Sequence, residues 1–368
     1  MRRSLLCLAV MLLAAGIAYR FAMDGVRVDR AIAQESLPDS TSALPKPAHD
    51  PFADPEAAEV ALPVELVRAL VEEKAAPYPV FNIGDVLDHL TQAGGRLHKA
   101  GKTKSDAQLR QGLGRKTVEL ELPEATGDAI SDRELYRRAC DSVFVVCSLY
   151  KKEDPNDWET ALATAFAVSQ DGVLSTSCHV FDNEDEAEAV VVMDVRKNVY
   201  PVRELLAANK RADTCLFRID ARNLKPLPLA ADAAPGTPVR VLGHPGDSFY
   251  FLSSGLVANY ERDHDGITWL NVTADFGQGS SGGPVLDERG HVVGQVSRTF
   301  TLYAGGSATR GRPRRVANDK PSAERDAEGN AVPPEDTADP QLVFKSCVPV
   351  KTLRALVKSN PASKRDEK

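Results

Sequence analysis

The chain has 368 residues, 43% of them apolar and 26% charged, with 45 basic against 52 acidic side chains and a net charge of −7. It can bury a core and has room for about two domains, and its acidic balance excludes a general nucleic-acid binder. Six cysteines are too few for a disulfide scaffold at this length. No apolar run beyond the first twenty residues approaches the ~20 needed to cross a bilayer, which excludes a polytopic membrane protein.

Arg2 and Arg3 precede an apolar run from Leu5 to Ala18, and Ala31-Ile32-Ala33 is one of two small-x-small sites after or within it. Residues 1–33 therefore read as a signal peptide or an N-terminal anchor, and the mature protein is expected to be exported to the periplasm, the cell envelope or the medium. Residues 34–63, rich in Pro, Ala, Ser and Asp, read as a flexible linker. Residues 64–133 form an extension of unknown role, with helical patterning in Glu65–Lys74 and Ile83–Leu97 and strand-like alternation in Thr117–Leu122. Of the five later cysteines, Cys140, Cys147, Cys178, Cys215 and Cys347, several sit in apolar strand-like runs, and no disulfide is predicted.

From Ser142 onward short β-rich runs alternate with Gly, Pro, Asn and Asp, which predicts a sandwich or a barrel. The runs are Ser142–Tyr150, Ala163–Ser169, Val173–Val180, Ala189–Val195, Cys215–Ile219, Val239–Gly243, Leu252–Ala258, Ile267–Thr273 and Val292–Ser297. Residues 304–341 interrupt them as a disordered insert, with six basic and seven acidic side chains and no aromatic, Leu or Ile. A strand Leu342–Val350, a short helix Thr352–Lys358 and a charged tail, 359–368, complete the chain.

Gly279-Ser280-Ser281-Gly282-Gly283-Pro284 is the sharpest local signal. A nucleophilic serine needs an exposed hydroxyl on a tight turn with backbone N–H groups free for an oxyanion, and glycines let the chain bend and the substrate approach. A base is sought among seven histidines. His49 lies in the linker and His89 and His98 in the helical region; His244 and His264 lie in loops and His291 on the Asp287–Val292 hairpin. His179 alone closes an apolar strand, and Asp213 opens a second one, Asp213–Phe217, where an orienting carboxylate would sit at the edge of a core. Asp182, Asp194 and Asp220 are weaker rivals. The same glycine-rich turn fits the nucleophile elbow of α/β-hydrolases, but that fold needs its acid and then its histidine after the serine, and only His291 follows.

The order His179, Asp213, Ser281, with Thr176-Ser177-Cys178-His179-Val180, Ala212-Asp213-Thr214-Cys215-Leu216 and Gly-Ser-Ser-Gly-Gly-Pro, resembles the trypsin-like serine peptidases of the chymotrypsin clan. The ending Leu342–Val350 followed by Lys351-Thr352-Leu353 is similar to that of the bacterial HtrA-like (Deg) branch, here with no PDZ-sized segment after residue 358. The resemblance covers residues 134–358. It implies an all-β fold of two six-stranded antiparallel β-barrels (chymotrypsin-like), with the small α/β N-terminal extension before it. It also implies a serine endopeptidase that cuts protein or peptide substrates without metal or organic cofactor. By resemblance His179 is the general base, Asp213 its orienter and Ser281 the nucleophile, with the backbone N–H groups of Gly279 and Ser281 as oxyanion hole. Asp275, six residues before Ser281, matches the carboxylate that Arg- or Lys-selecting relatives keep at the base of the specificity pocket, or else bonds the loop backbone.

Three departures from the family pattern stand out. Ser280 replaces the usual Asp or Asn before the nucleophile, no Ile-Val-Gly-Gly start is present, and Cys178 replaces a small residue before the histidine. Activity is therefore expected not to depend on N-terminal cleavage within the domain. Asp182, Glu184, Asp185, Glu186 and Glu188 after the base read as a solvated turn. Contact with a membrane is expected only through an N-terminal anchor, and the oligomeric state stays open. An alternative reading is a catalytically idle peptidase fold that serves as an extracytoplasmic binding module.

Overall fold

The computed structural model describes residues 78–152, 157–182, 186–303 and 340–359. The leader, the linker, the helix expected at Glu65–Lys74, insert residues 304–339 and most of the charged tail lie outside the described residues.

Helix α1 (Ile83–Lys99) starts where Asn82 Oδ1 accepts the Asp85 N–H at 3.3 Å. Its buried stripe includes Val86, Leu90 and Ala93, the spacing of one helical face. Helix α2 (Asp106–Arg110) begins with a reciprocal cap between Ser105 and Gln108 and runs into a single 3₁₀ turn, Gln111–Gly114. Strand β1 (Val118–Leu120) follows, then α3 (Asp132–Cys140), capped by Ser131.

The first barrel comprises β2 (Val143–Lys151), β3 (Trp158–Ala167), β4 (Val173–Thr176), β5 (Ala189–Met193), β6 (Val199–Asn209) and β7 (Thr214–Ile219). It closes antiparallel in the order β2-β3-β4-β7-β6-β5. The second comprises β8 (Pro238–Gly243), β9 (Phe251–Arg262), β10 (Thr268–Val272), β11 (Pro284–Leu286), β12 (Val292–Tyr303) and β13 (Pro340–Pro349). It closes as β10-β13-β12-β11-β8-β9. This is the chymotrypsin-like pair of six-stranded antiparallel barrels that the resemblance implied.

Strand β2 reads as a continuous apolar run because both of its faces are covered. Phe144 and Val146 face the first barrel's interior with Leu174, Val192 and Phe217, while Val145, Cys147 and Leu149 pack against Val86 and Leu90 of α1. A second apolar layer joins the barrels, with Val143, Phe166 and Leu216 from one and Leu242, Leu286 and Val292 from the other. Leu109 and Leu113 enter the first barrel's cluster, and Leu120 and Leu135 enter the joining layer. The five cysteines within the described residues are buried free thiols, and no helix there is long and apolar enough to cross a membrane.

Three expectations are corrected. The run Val173–Val180 is not one strand: β4 stops at Thr176 and a 3₁₀ turn, Cys178–Val180, follows, lifting His179 out of the ladder. The closing helix expected over Thr352–Lys358 is instead α4 (Val350–Arg354), and Val357–Ser359 is a strand, β14. Leu356 is buried and the chain beyond it pairs in parallel with β1, Val118 opposite Val357, so a remote strand overrides local helical propensity. Strands β6 and β11 had not been expected. Pro201, Arg203 and Glu204 break the period of β6, which is bulged at two places, and β11 is only three residues long.

Candidate active site

His179 and Asp213 come from adjacent strand ends. Strands β4 and β7 pair with Thr176 opposite Cys215, so the turn after one and the residue before the other meet at the same barrel mouth. Asp213 holds φ at +56°, a left-handed conformation that Asp and Asn adopt more readily than most residues. Its carboxylate accepts three hydrogen bonds: from the His179 backbone N–H at 3.0 Å, from His179 Nδ1 at 2.8 Å and from Ser297 Oγ at 2.6 Å. The His179 ring is half exposed, whereas Asp213 is largely enclosed, with side-chain exposures of 50% and 17%.

The electrostatics follow from that geometry. Burial acts to lower the His179 pKa, but the adjacent Asp213 charge and its hydrogen bond outweigh it and hold the imidazole above its usual value of 6.5. Burial acts to raise that of Asp213, and the His179 charge, the hydrogen bonds from the His179 ring and Ser297, and the backbone N–H together hold it below the usual 3.8. The carboxylate stays ionised at neutral pH and keeps the proton of neutral imidazole on Nδ1. Nε2 is left with a lone pair.

Ser281 reaches the same cleft from the second barrel. Its carbonyl accepts the Thr164 N–H at 2.9 Å, and the next N–H, of Gly282, donates to the Val296 carbonyl at 2.8 Å, one residue before Ser297. Gly279 and Gly282 hold φ at +92° and +87°. A Cβ on Gly279 would overlap the His244 carbonyl, and one on Gly282 would overlap the Thr164 carbonyl and the Thr176 hydroxyl, so the turn is closed around bare backbone. Among the described residues the N–H groups of Gly279 and Ser281 donate to no backbone carbonyl, which leaves both available to a substrate oxygen. The Ser281 hydroxyl is not hydrogen-bonded to His179; such bonds commonly tighten only once substrate is bound.

A polar seam that sequence reasoning missed locks the barrels together here. Ser175 and Thr214 donate to Gln295 Oε1 at 2.6 and 3.2 Å, Ser177 donates to the Val296 carbonyl at 3.1 Å, and Thr164 donates to the Gly279 carbonyl at 2.8 Å. The run Ser175-Thr176-Ser177 inside an apolar strand was the available signal, since buried hydroxyls require partners. Nothing local to Ser297 marked it as the third donor to Asp213.

The rival residues are engaged elsewhere. Asp182 pairs with Lys210 at 2.8 Å, Asp194 accepts N–H groups of its own turn, and Asp220 pairs with Arg203. His244 is fully buried and accepts the Tyr250 N–H at 3.0 Å; burial pushes its pKa down to about 3 and keeps it neutral. Of the acidic turn, Glu186 pairs with Arg110 at 3.4 Å, while Glu184 and Asp185 lie outside the described residues. Asp275 is not enclosed at a pocket base: its side chain is 85% exposed and lies 3.8 Å from Lys345 Nζ, while its carbonyl accepts the Ser253 hydroxyl at 2.5 Å. No three metal-ligating side chains converge among the described residues.

Residues 163–294 match the family model described as the trypsin-like peptidase domain. Among curated proteins, the chain is 27% identical over 150 residues to a probable periplasmic serine endoprotease, DegP-like, of Halomonas elongata, covering 39% of this chain and 31% of that protein. It is 28% identical over 158 residues to serine protease HTRA1A of Danio rerio, covering 40% and 32%. The matched region thus spans about a third of the length of these relatives. Among solved structures, an HtrA-type protease with a tripeptide aligns at 17% identity and a TM-score of 0.43 over 61% of each chain. The serine endoprotease from Yersinia pestis aligns at 22% identity and a TM-score of 0.39, over 47% of this chain and 60% of that one. Family model and curated relatives agree: residues 163–294 match a trypsin-like peptidase domain, and this part of the chain is similar to serine endoproteases of the DegP-like kind.

Proposed function

We propose that the protein is an exported serine endopeptidase that hydrolyses peptide bonds through an acyl-enzyme on Ser281. The observation that supports this reading is the three-donor Asp213 carboxylate, which keeps the His179 proton on Nδ1 and leaves Nε2 basic, while the Gly282 N–H donates to the Val296 carbonyl beside the Ser297 that donates to Asp213. In the forward step Nε2 takes the Ser281 proton as Oγ attacks the scissile carbonyl. The negative oxygen is received by the N–H groups of Gly279 and Ser281, and the imidazolium is stabilised by Asp213. His179 then returns the proton to the leaving amine. Water enters, the same base activates it, and the acyl-enzyme is hydrolysed. Losing one oxyanion donor in such a site costs about 10²–10³ in turnover.

Export rests on the basic and apolar leader, together with the periplasmic designation in the names of the DegP-like relatives. Substrates are proteins or peptides, as for other peptidases of this family.

The test is fluorophosphonate labelling of the purified protein beside Ser281→Ala, with the labelled peptide mapped by mass spectrometry. Label on Ser281 in the wild type alone is expected. Absence of label on folded protein would refute an activated serine and leave the fold as a binding module.

A further inference from the structure

A largely enclosed cation, Lys345, stands against the loop that carries Ser281, beside the Asp275 carboxylate that a trypsin-like preference would use. Strand β13 places Lys345 opposite Thr299 of β12 and Val272 of β10. Val272 and Cys347 belong to the second barrel's core. Lys345, two residues from Cys347 and opposite Val272, shares that inward face. Its side chain is only 14% exposed. The ammonium donates to the Phe276 carbonyl and sits 5.2 Å from the centre of the Phe276 ring. Phe276 lies five residues before Ser281 in the loop between β10 and β11, and Thr299 lies two residues beyond Ser297, the donor to Asp213. Lys345 is therefore lodged between the nucleophile loop and the strand that anchors the triad.

The charge of Lys345 is incompletely matched. An ammonium has three donors. One goes to the Phe276 carbonyl, and the Asp275 carboxylate stands at 3.8 Å with its side chain almost wholly in water, where its attraction is weakened by solvent. An arriving carboxylate would displace Asp275 into solvent at little cost and pair with a largely desolvated cation. An arriving guanidinium or ammonium would meet a like charge in an enclosed site.

We propose that Lys345 is the specificity-determining residue of the pocket that receives the side chain preceding the scissile bond, admitting Asp and Glu and rejecting Arg and Lys. This rests on the peptidase reading above and reverses the preference that Asp275 alone would give.

The test incubates the full chain with a peptide library varied at the residue before the cut and reads new C-termini by mass spectrometry, with fluorophosphonate labelling run in parallel. Wild type is expected to yield mostly Asp and Glu termini. Lys345→Met keeps the apolar stem and is expected to lower kcat/KM on a Glu substrate on the order of 30-fold, the usual consequence of truncating one partner of an enclosed charge pair. Asp275→Ala, which removes the competing carboxylate at an exposed position, is expected to raise it. Circular dichroism confirms that each variant is folded. Wild-type cleavage mainly after Arg, Lys or aliphatic residues, or a K345M profile identical to wild type, with Ser281 still labelled, would overturn the specificity assignment and leave the peptidase reading standing. No label and no products from folded wild type would overturn both.

Discussion

Replacing Asp213 by Asn removes the negative charge of the proposed triad while keeping a residue that tolerates the left-handed backbone, since φ is +56° there. The carboxylate accepts the His179 N–H at 3.0 Å on one oxygen, and His179 Nδ1 at 2.8 Å and Ser297 Oγ at 2.6 Å on the other. A carboxamide can serve only one of those positions with its oxygen. If the NH₂ faces Nδ1, the imidazole must carry its proton on Nε2 and can no longer accept from Ser281. If the oxygen faces Nδ1, the NH₂ meets the His179 backbone N–H, and two donors confront each other. In either arrangement the imidazolium formed during the reaction has lost its adjacent anion. The expected loss is ~10⁴ in kcat, about 5.5 kcal/mol of barrier.

The assay is initial rates on a peptide substrate from pH 5 to 10, with folding checked by circular dichroism. In the wild type the acid limb should lie above 6.5, because Asp213 raises the His179 pKa against the effect of burial. In D213N only the lowering influence of burial remains, so the limb should move to lower pH. Stability carries the same signature. Asp213 is held below 3.8 and His179 above 6.5, so the pair stabilises the wild type most fully between those two values. That contribution is lost as pH falls through the lowered Asp213 pKa, and again as pH rises through the raised His179 pKa. A D213N enzyme that retained a tenth of wild-type turnover, or kept an unmoved acid limb, would refute this account of the triad.

Two further expectations concern the frame around the site. Gly282→Ala would put a Cβ on a residue with φ of +87°, overlapping the Thr164 carbonyl and lying 2.8 Å from the Thr176 Cα. A loss of about 3 kcal/mol or more is expected in urea unfolding, and an unchanged midpoint would show that the inter-barrel turn can relax. Asp106 is fully buried at the start of α2, with Oδ2 accepting the Ala187 N–H at 3.4 Å, Oδ1 unpartnered, and desolvation raising its pKa to about 6. Because the folded value lies above the usual 3.8, wild-type stability should fall as pH rises through that interval. Asp106→Asn cannot ionise, so its stability relative to wild type should improve from pH 4 to pH 8 by up to about 3 kcal/mol. Thermal melts at both pH values check this, and a difference independent of pH would count against it.

The candidate site positions could be named from the sequence because they depend on local residue types: a glycine-flanked serine, a histidine after an apolar strand and an aspartate before another. The barrels were legible for a similar reason, since alternation and turn residues are written within each short strand. Strand β6 escaped because two bulges break its period, and β14 because Val357–Ser359 is a strand only by pairing with β1, more than two hundred residues earlier. The extension was readable as α1 and β1, but its place under β2 and β5 was not, because a stripe such as Val86-Leu90 declares that it must be covered without declaring by what.

The amino-acid sequence by itself supplied the candidate side chains for the proposed acyl transfer and their order along the chain. Only the tertiary structure decided how they are supported and charged. Ser297 bonds Asp213 from a strand of the other barrel, Thr164 and Gln295 stitch the cleft closed, and Lys345 rather than Asp275 occupies the enclosed position near the nucleophile turn. Each of these is a contact between residues far apart in the chain, made by strand pairing and by the meeting of two barrels. Spacing along a sequence carries no information about a partner that distance in the chain does not constrain.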